Sequence, residues 1–458
     1  MRMKKPKAML LARGCRRSAR SFSSLRTDAA QTYDVLIVGG GVIGAWAAIA
    51  AKRLGASVAL ADQFSPAHEH GSSHGDGRIY RFAYIENLYV DMMERSLPQW
   101  TELQAFAGEE LMAQTGGLQT APAGKGRLQD QVDLYARRGI AHELLSAREA
   151  NERFPQFGLE DNVEALYQRD FGVLFASKCV RAAWRYAESL GVQTLTPFRA
   201  SALHVRGGGG GNGHESGHNT LVVEGANGAS VSARSAVFAP GAWLSSLSAS
   251  LLRLEVPTHV TAETVCYYAP KDSAVDHSYH TMPCFVPDFD NGLGPFGYYG
   301  LPMIGIPGIK ASAHYCGPII DPERRPMAAG GTQVGLVDSV VEASAAARVE
   351  AVVASTNRLI ASHFPHVEST PFMRQSCLYT TTPDHDYILS TLPGGPENVV
   401  LVGGGSGHAF KMGPALGEGA AALALGLPPP FPAGQFDVRR LLNLGARAMD
   451  REPFATKK

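Results

Sequence analysis

Apolar residues along the chain follow two periods. Residues 35–38 form a short β-branched run, the mark of a buried strand, and residues 42–54 are apolar nearly all round, as in a helix packed on a sheet, with Gly55 as the stop. A second apolar run, 57–61, ends at Asp62. A helix is predicted over 88–111 from the loose spacing of Leu88, Met92, Arg95, Leu97 and Trp100, while 116–120 and 143–152 suggest a strand and a helix outside the first unit. Residues 171–175 lead into Ser177 as N-cap of a helix carrying Val180, Ala183, Trp184, Ala187 and Leu190, stopped by Gly191 and followed by a strand at 192–196. The runs 221–224 and 231–238 read as a hairpin whose second strand rejoins the first sheet at Ala239-Pro240-Gly241. Alternation over 256–268 and 298–315 predicts a second, antiparallel sheet, and prolines and glycines crowd 281–308 as they do in site-forming loops. A long helix over 340–364, a buried strand over 398–402 and, after GGGSGHAFKMGP, an alanine-rich helix over 415–425 complete the pattern. The chain leaves its first unit and returns to it twice.

Between the first strand and helix, Gly39, Gly41 and Gly44 stand in the spacing G-x-G-x-x-G, and Asp62 follows at the end of the next strand. The first glycine allows a tight turn, the second lets a pyrophosphate reach the backbone, and the third lets helix close on strand. Val42 and Ile43 open that helix, whose positive N-terminus suits phosphate. Asp62 would accept the adenosine ribose hydroxyls and repel a 2′-phosphate. Strand, glycines, helix, strand and acid together predict that FAD or NAD binds here.

Composition narrows the class. The chain has 458 residues, 42 Lys plus Arg against 42 Asp plus Glu, and six cysteines without a C-x-x-C pair. Two domains are expected; a basic face for nucleic acid, a disulfide framework and a zinc site are not. No apolar run reaches the roughly 18 residues of a membrane span. Residues 1–26 hold six Arg, three Lys and no acid, with a serine-rich end, the composition of a transit peptide, mitochondrial rather than plastid. The run 207–213 and its continuation to Asn219 read as an inserted glycine-rich loop, on which His204, His214 and His218 are expected to be solvated rather than metal ligands.

Two further stretches carry chemistry. In GSSHGDGRIYRFAY (71–84), His74, Arg78 and Arg81 stand at i, i+4 and i+7, which on a helical turn would aim one histidine and two arginines at an anion. Gly403 to His408 lies between strand and helix, with Lys411 just beyond, and can turn backbone N–H groups toward an anionic or carbonyl group such as a flavin pyrimidine.

With GSSHGDGRIYRFAY, DFGVLF, APGAW, YYGLPMIGIPGIKASAH, SCLYTTTPDHDYIL and GGGSGHAFK in view, residues 33–425 resemble the sarcosine oxidase and L-pipecolate oxidase group of D-amino-acid-oxidase-like flavoproteins. The resemblance implies FAD joined through its 8α-methyl carbon to Cys377. It implies that Arg81 and Lys411 grip a substrate carboxylate, with Tyr299, Tyr379 and His314 lining that pocket. His74 and Arg78 would lie by the flavin ring, and Lys310 near its N5, where a fixed charge favours oxygen reduction. Ser73, Val173, Gly241, Trp243, Gly407 and His408 complete the implied cofactor contacts. Cys179, Cys266, Cys284 and Cys316 match no functional position, and Cys15 lies in the leader.

The expected fold is α/β, α+β overall: a Rossmann-type FAD-binding domain (32–115, 165–250 and 376–428) interleaved with a mainly antiparallel substrate domain (116–164 and 251–375). It is preceded by a transit peptide (1–30), interrupted by a flexible insertion (207–219) and followed by a tail (429–458). The expected activity is oxidation of a secondary amino acid such as sarcosine or L-pipecolate to an imine, with O2 reduced to hydrogen peroxide. A flavin-dependent dehydrogenase serving a carrier or quinone is the alternative, and a non-catalytic FAD-binding protein a third reading. A monomer, without nucleic acid, metal or membrane span, is expected in mitochondria, with plastid or peroxisome as alternatives.

Overall fold

The computed structural model describes residues 31–124, 128–207, 219–324 and 339–442, of which 339–342 by backbone alone. The basic leader, most of the glycine-rich insertion with His214 and His218, and the end of the tail lie outside the described residues.

Strand Thr32–Val38 is the centre of the first sheet. Val58–Ala61 and Ser230–Phe238 pair with it in parallel on either side, Gln193–Leu195 extends the sheet beyond the former, and Val399–Gly403 pairs in parallel with the end of the latter. Thr220–Gly225 and Ala200–Arg206 add the antiparallel hairpin. Helix Val42–Arg53, nine of whose residues are buried, is sandwiched between the sheet and helices Ala176–Ser189 and Gly413–Ala424. Small residues make that possible: a Cβ on Gly417 would lie 2.6 Å from the backbone N of Ala47. Parallel strands covered by helices must be apolar throughout, as 35–38 are.

The second sheet runs Met373–Thr381, His259–Tyr268, Ile309–Ala313, Tyr298–Leu301, Cys284–Pro287, Gly117–Pro122, Val163–Gln168, Glu143–Ser146, antiparallel except between Cys284–Pro287 and Gly117–Pro122. Helix Ser339–His363 packs Val352 and Ile360 on it. A small third sheet joins Arg78–Tyr80 and Met112–Gln114 to Gly172–Leu174.

Four expectations change. Residues 143–146 pair as a strand, because Ser146 and Glu149 form a capping box that starts the helix only at Ala147. Ser177 is not an N-cap; its hydroxyl accepts the Gly75 N–H at 3.0 Å, and the helix begins at Ala176. Arg78 lies on a strand, not a helical turn, since its backbone pairs with Leu174. Residues 165 and 376 fall inside strands Val163–Gln168 and Met373–Thr381 of the second sheet, so the chain crosses back to the first sheet after these strands, not within them.

Candidate active site and cofactor cleft

The glycine loop opens a cleft lined by Gly39, Gly41, Asp62, His68, Ser73, Phe198, Arg199, Gly241 and Trp243, among others. Gly39 has φ +102°, and a Cβ on Gly44 would lie 1.8 Å from the Gly39 carbonyl oxygen, so helix and turn meet only because neither position has a side chain. The Trp184 indole N–H holds the loop from below by donating to the Gly40 carbonyl at 2.7 Å. The Asp62 carboxylate is oriented by the N–H groups of Gly40 (2.5 Å) and Phe64 (2.7 Å), and burial pushes its pKa up. Two hydrogen bonds leave carboxylate lone pairs for a ribose. The helix behind the turn has no acid in its first turn, and the Val42 N–H reaches the Ser73 hydroxyl at 3.1 Å. Turn, acid and helix start therefore fit the adenosine and pyrophosphate of a dinucleotide.

The same 71–81 stretch then runs along an inner cavity. Arg78, Arg81, Tyr299, Lys310, His314, Cys377, Tyr379, Gly407, His408 and Lys411 all line it, ten of the residues proposed from sequence, drawn from four separate chain segments. Arg78 donates to the Ser72 carbonyl at 3.0 Å and to the Cys377 sulfur at 3.2 Å. Lys310 is buried and pairs with Asp76 at 2.9 Å. The Asp76 Oδ2 atom is buried without a hydrogen-bond partner among the described residues.

Arg81 and Lys411 face the cavity from opposite segments, both over the Tyr84 ring, at 5.9 and 5.2 Å. No ion pair to either occurs among the described residues; Lys411 donates only to the His408 carbonyl, at 2.8 Å. Burial, reinforced by Arg81, pulls the Lys411 pKa well down. Two cations held together without a carboxylate make an anion site. His314 lies half-buried beside them and meets the Tyr379 hydroxyl at 3.3 Å; loss of solvation and then the charge of Arg81 hold its pKa down to about 3, so its imidazole is neutral. His408 has both ring nitrogens engaged: Nε2 lies 3.2 Å from the His385 carbonyl and must donate, so Nδ1 accepts from the Tyr387 hydroxyl at 2.6 Å. It is a fixed wall, not a proton carrier.

Some proposed contacts lie elsewhere. Val173 lines neither space: it is fully buried in the third sheet, packed 3.1 Å behind where a Gly77 Cβ would be, because DFGVLF forms the central strand of that sheet. Ile43 points into the helical core, and His74 sits on the 71–77 loop lining neither the cleft nor the cavity. His204 is exposed and pairs with Glu224. No cluster of metal-binding side chains occurs among the described residues. The residues not foreseen are Asp76, Tyr84, Tyr267, Phe198, Arg199 and Phe410. Asp76 and Tyr84 stood inside the GSSHGDGRIYRFAY motif, and Phe410 inside GGGSGHAFK, and were readable there; Tyr267, Phe198 and Arg199 are placed by tertiary folding.

A family model described as "DAO: FAD dependent oxidoreductase" matches residues 34–423. The chain is 29% identical to human peroxisomal sarcosine oxidase over 416 residues, 90% of this chain and 97% of that one. It is 30% identical to monomeric sarcosine oxidase of Bacillus sp. (strain B-0618), covering 86% and 92%, and 29% identical to N-methyl-L-tryptophan oxidase of Salmonella agona, covering 89% and 99%. Among solved structures, the amino acid oxidase NikD superposes with a TM-score of 0.70 at 19% identity over 89% of this chain and 97% of that one. With a nucleotide cleft and a cation-lined cavity both served by the 71–81 stretch, the chain belongs to the DAO family of FAD-dependent oxidoreductases.

Proposed function

We propose that the protein oxidises the C–N bond of a secondary α-amino acid of the sarcosine or L-pipecolate type to the imine. The observation that supports this best is the pair of cations, Arg81 and Lys411, facing an aromatic-walled cavity with no carboxylate among the described residues paired to either. The chemistry that FAD would supply when bound is two-electron transfer: the substrate would lose two electrons and two protons in becoming the imine, and the same two electrons and two protons would reduce O2 to hydrogen peroxide. The chain's own part is orientation and charge. Arg81 and Lys411 would fix the carboxylate. Tyr299, Tyr379 and the neutral His314 would surround the apolar carbons and the unprotonated amine. Lys310 would hold a positive charge against the cofactor where electrons leave for oxygen.

The test is the visible spectrum of the purified protein, mixed anaerobically with sarcosine or L-pipecolate and then opened to air. Bleaching that air reverses is the expected result. Bleaching that persists in air would favour a dehydrogenase, and no bleaching by any secondary amino acid would sink the amine-oxidation reading.

The reading includes a covalent cofactor. Cys377 lines the cavity with its sulfur fixed by Arg78. After acid denaturation the wild-type polypeptide is expected to stay yellow, while Cys377→Ser releases its flavin to the supernatant; release from both would remove the thioether. A monomer is proposed in keeping with the name of the Bacillus relative. No helix among the described residues is long and apolar enough to cross a membrane. For the address, a mitochondrial leader is proposed over the peroxisomal alternative; a fluorescent protein carrying residues 1–30 should enter mitochondria.

A further inference from the structure

We propose that Asp76 is the positioning residue that keeps Lys310 charged and fixed against the wall of the inner cavity. The inference rests on the reading of Lys310 as the cation that faces the bound cofactor.

Lys310 is the second residue of strand Ile309–Ala313 and is 4% exposed. Its Nζ is 2.9 Å from Asp76 Oδ1 and 3.4 Å from the Gly77 carbonyl oxygen. Oδ1 also accepts the Tyr267 hydroxyl and the Gly77 N–H, each at 2.9 Å, so the carboxylate is tied to strand His259–Tyr268 and to its own loop. The other charged or titratable groups facing Lys310 are Arg78 on the third sheet, Tyr267, and Cys377 on strand Met373–Thr381. None of these is an acid able to replace Asp76. An ammonium buried this deeply loses its proton unless a negative partner holds it. Burial lowers the Lys310 pKa and Arg78 lowers it further, while Asp76 opposes both. Burial alone would raise the Asp76 pKa, but Lys310 first, then the Tyr267 hydroxyl and Arg78, together outweigh it and hold the carboxyl below its usual range. A four-methylene stem also has many rotamers, and the ion pair selects one.

The experiment uses the FAD-loaded protein as wild type, Asp76→Asn, Lys310→Met and the double variant. Thermal unfolding is followed from pH 7 to 10, and reoxidation by air is timed after chemical reduction. Without Asp76, Lys310 should shed its proton at lower pH. The native state then binds fewer protons than the unfolded chain over a wider interval, so stability should rise with pH more steeply than in wild type. The double variant should lack that extra rise and regain the Tm lost by Asp76→Asn, and reoxidation in Asp76→Asn should slow toward that of Lys310→Met as pH rises. Wild-type pH dependence in Asp76→Asn, for both Tm and reoxidation, would overturn the proposal. Should Asp76→Asn fail to fold, a folded double variant supports it and an unfolded one overturns it. Unchanged reoxidation in Lys310→Met would instead sink the underlying reading of Lys310, leaving the pH dependence of Tm to decide the pairing.

Discussion

Lys411→Met is expected to lower kcat/KM for a carboxylated substrate by two to three orders of magnitude. Removing one partner of a buried charge pair costs about 2–5 kcal/mol, and each 1.4 kcal/mol is about tenfold. Methionine keeps the length and apolar stem of the side chain, so contact with the Tyr84 ring survives while the charge is lost. The loss should fall on KM and on the Kd of a non-reactive carboxylate inhibitor. A secondary amine without a carboxylate should lose little, and equal losses for both kinds of ligand would show that Lys411 does not read the carboxylate. The electrostatics add a sign. Burial and then Arg81 hold the Lys411 pKa well below the usual lysine range, and a bound carboxylate opposes both effects. Binding should therefore take up a proton wherever free Lys411 is partly neutral, and affinity should fall as pH rises through its free-state pKa. Calorimetry in buffers of different ionisation enthalpy would detect that uptake in wild type and its absence in Lys411→Met.

Legibility in the sequence followed the range over which each feature is determined. The glycine turn, its helix and Asp62 could be read because strand, turn and helix lie within one stretch, and each glycine answers to a local steric need. The cation pair was different: Arg81 and Lys411 are more than 300 residues apart and carry no shared local pattern. Only the resemblance brought them together, and the cavity places them side by side. The helical spacing of His74, Arg78 and Arg81 misled, because only Arg78 belongs to a regular element, the strand Arg78–Tyr80, while His74 and Arg81 lie on the loops before and after it; the pairing of Arg78 with Leu174 decided this. Val173, also inside a recognised motif, is packed in the third sheet, a position that the motif did not record. Trp184 and Trp100, read as helix core, in fact donate to the backbones of Gly40 and Lys411 and so hold the two functional loops in place. Nothing in helical periodicity records where an indole N–H points.

Gly44→Ala should both unfold the nucleotide domain more easily and abolish cofactor retention, whereas Gly41→Ala should do only the second. The added Cβ at 44 would lie 1.8 Å from the Gly39 carbonyl oxygen and 2.9 Å from its carbon. Gly39 cannot retreat: its N–H is bonded to the Ala61 carbonyl at 2.8 Å, and its own Cα faces the Ala239 carbonyl so closely that a Cβ there would sit 2.3 Å from the oxygen. Helix Val42–Arg53 must therefore move off its strand and disturb its packing against helix Gly413–Ala424, where Gly413 and Gly417 already meet Val42 and Trp46 closely. Overpacking of this kind costs about 1–3 kcal/mol, and more where only backbone can yield. At 41 the Cβ would meet nothing nearer than the Ser73 hydroxyl at 3.1 Å, and φ is −64°, so the fold accepts it. That methyl would instead occupy the wall of the cleft where a pyrophosphate approaches. Measured in a Cys377→Ser background, so that the flavin can exchange, Gly44→Ala should lower the Tm of the cofactor-free protein. Gly41→Ala should leave that Tm within error and raise the Kd for FAD by roughly tenfold or more, the equivalent of a single misplaced methyl. Should Gly41→Ala bind FAD with wild-type affinity, the pyrophosphate would not lie on this turn. A wild-type Tm in Gly44→Ala would mean that helix and strand are not held at this distance by the absence of a side chain.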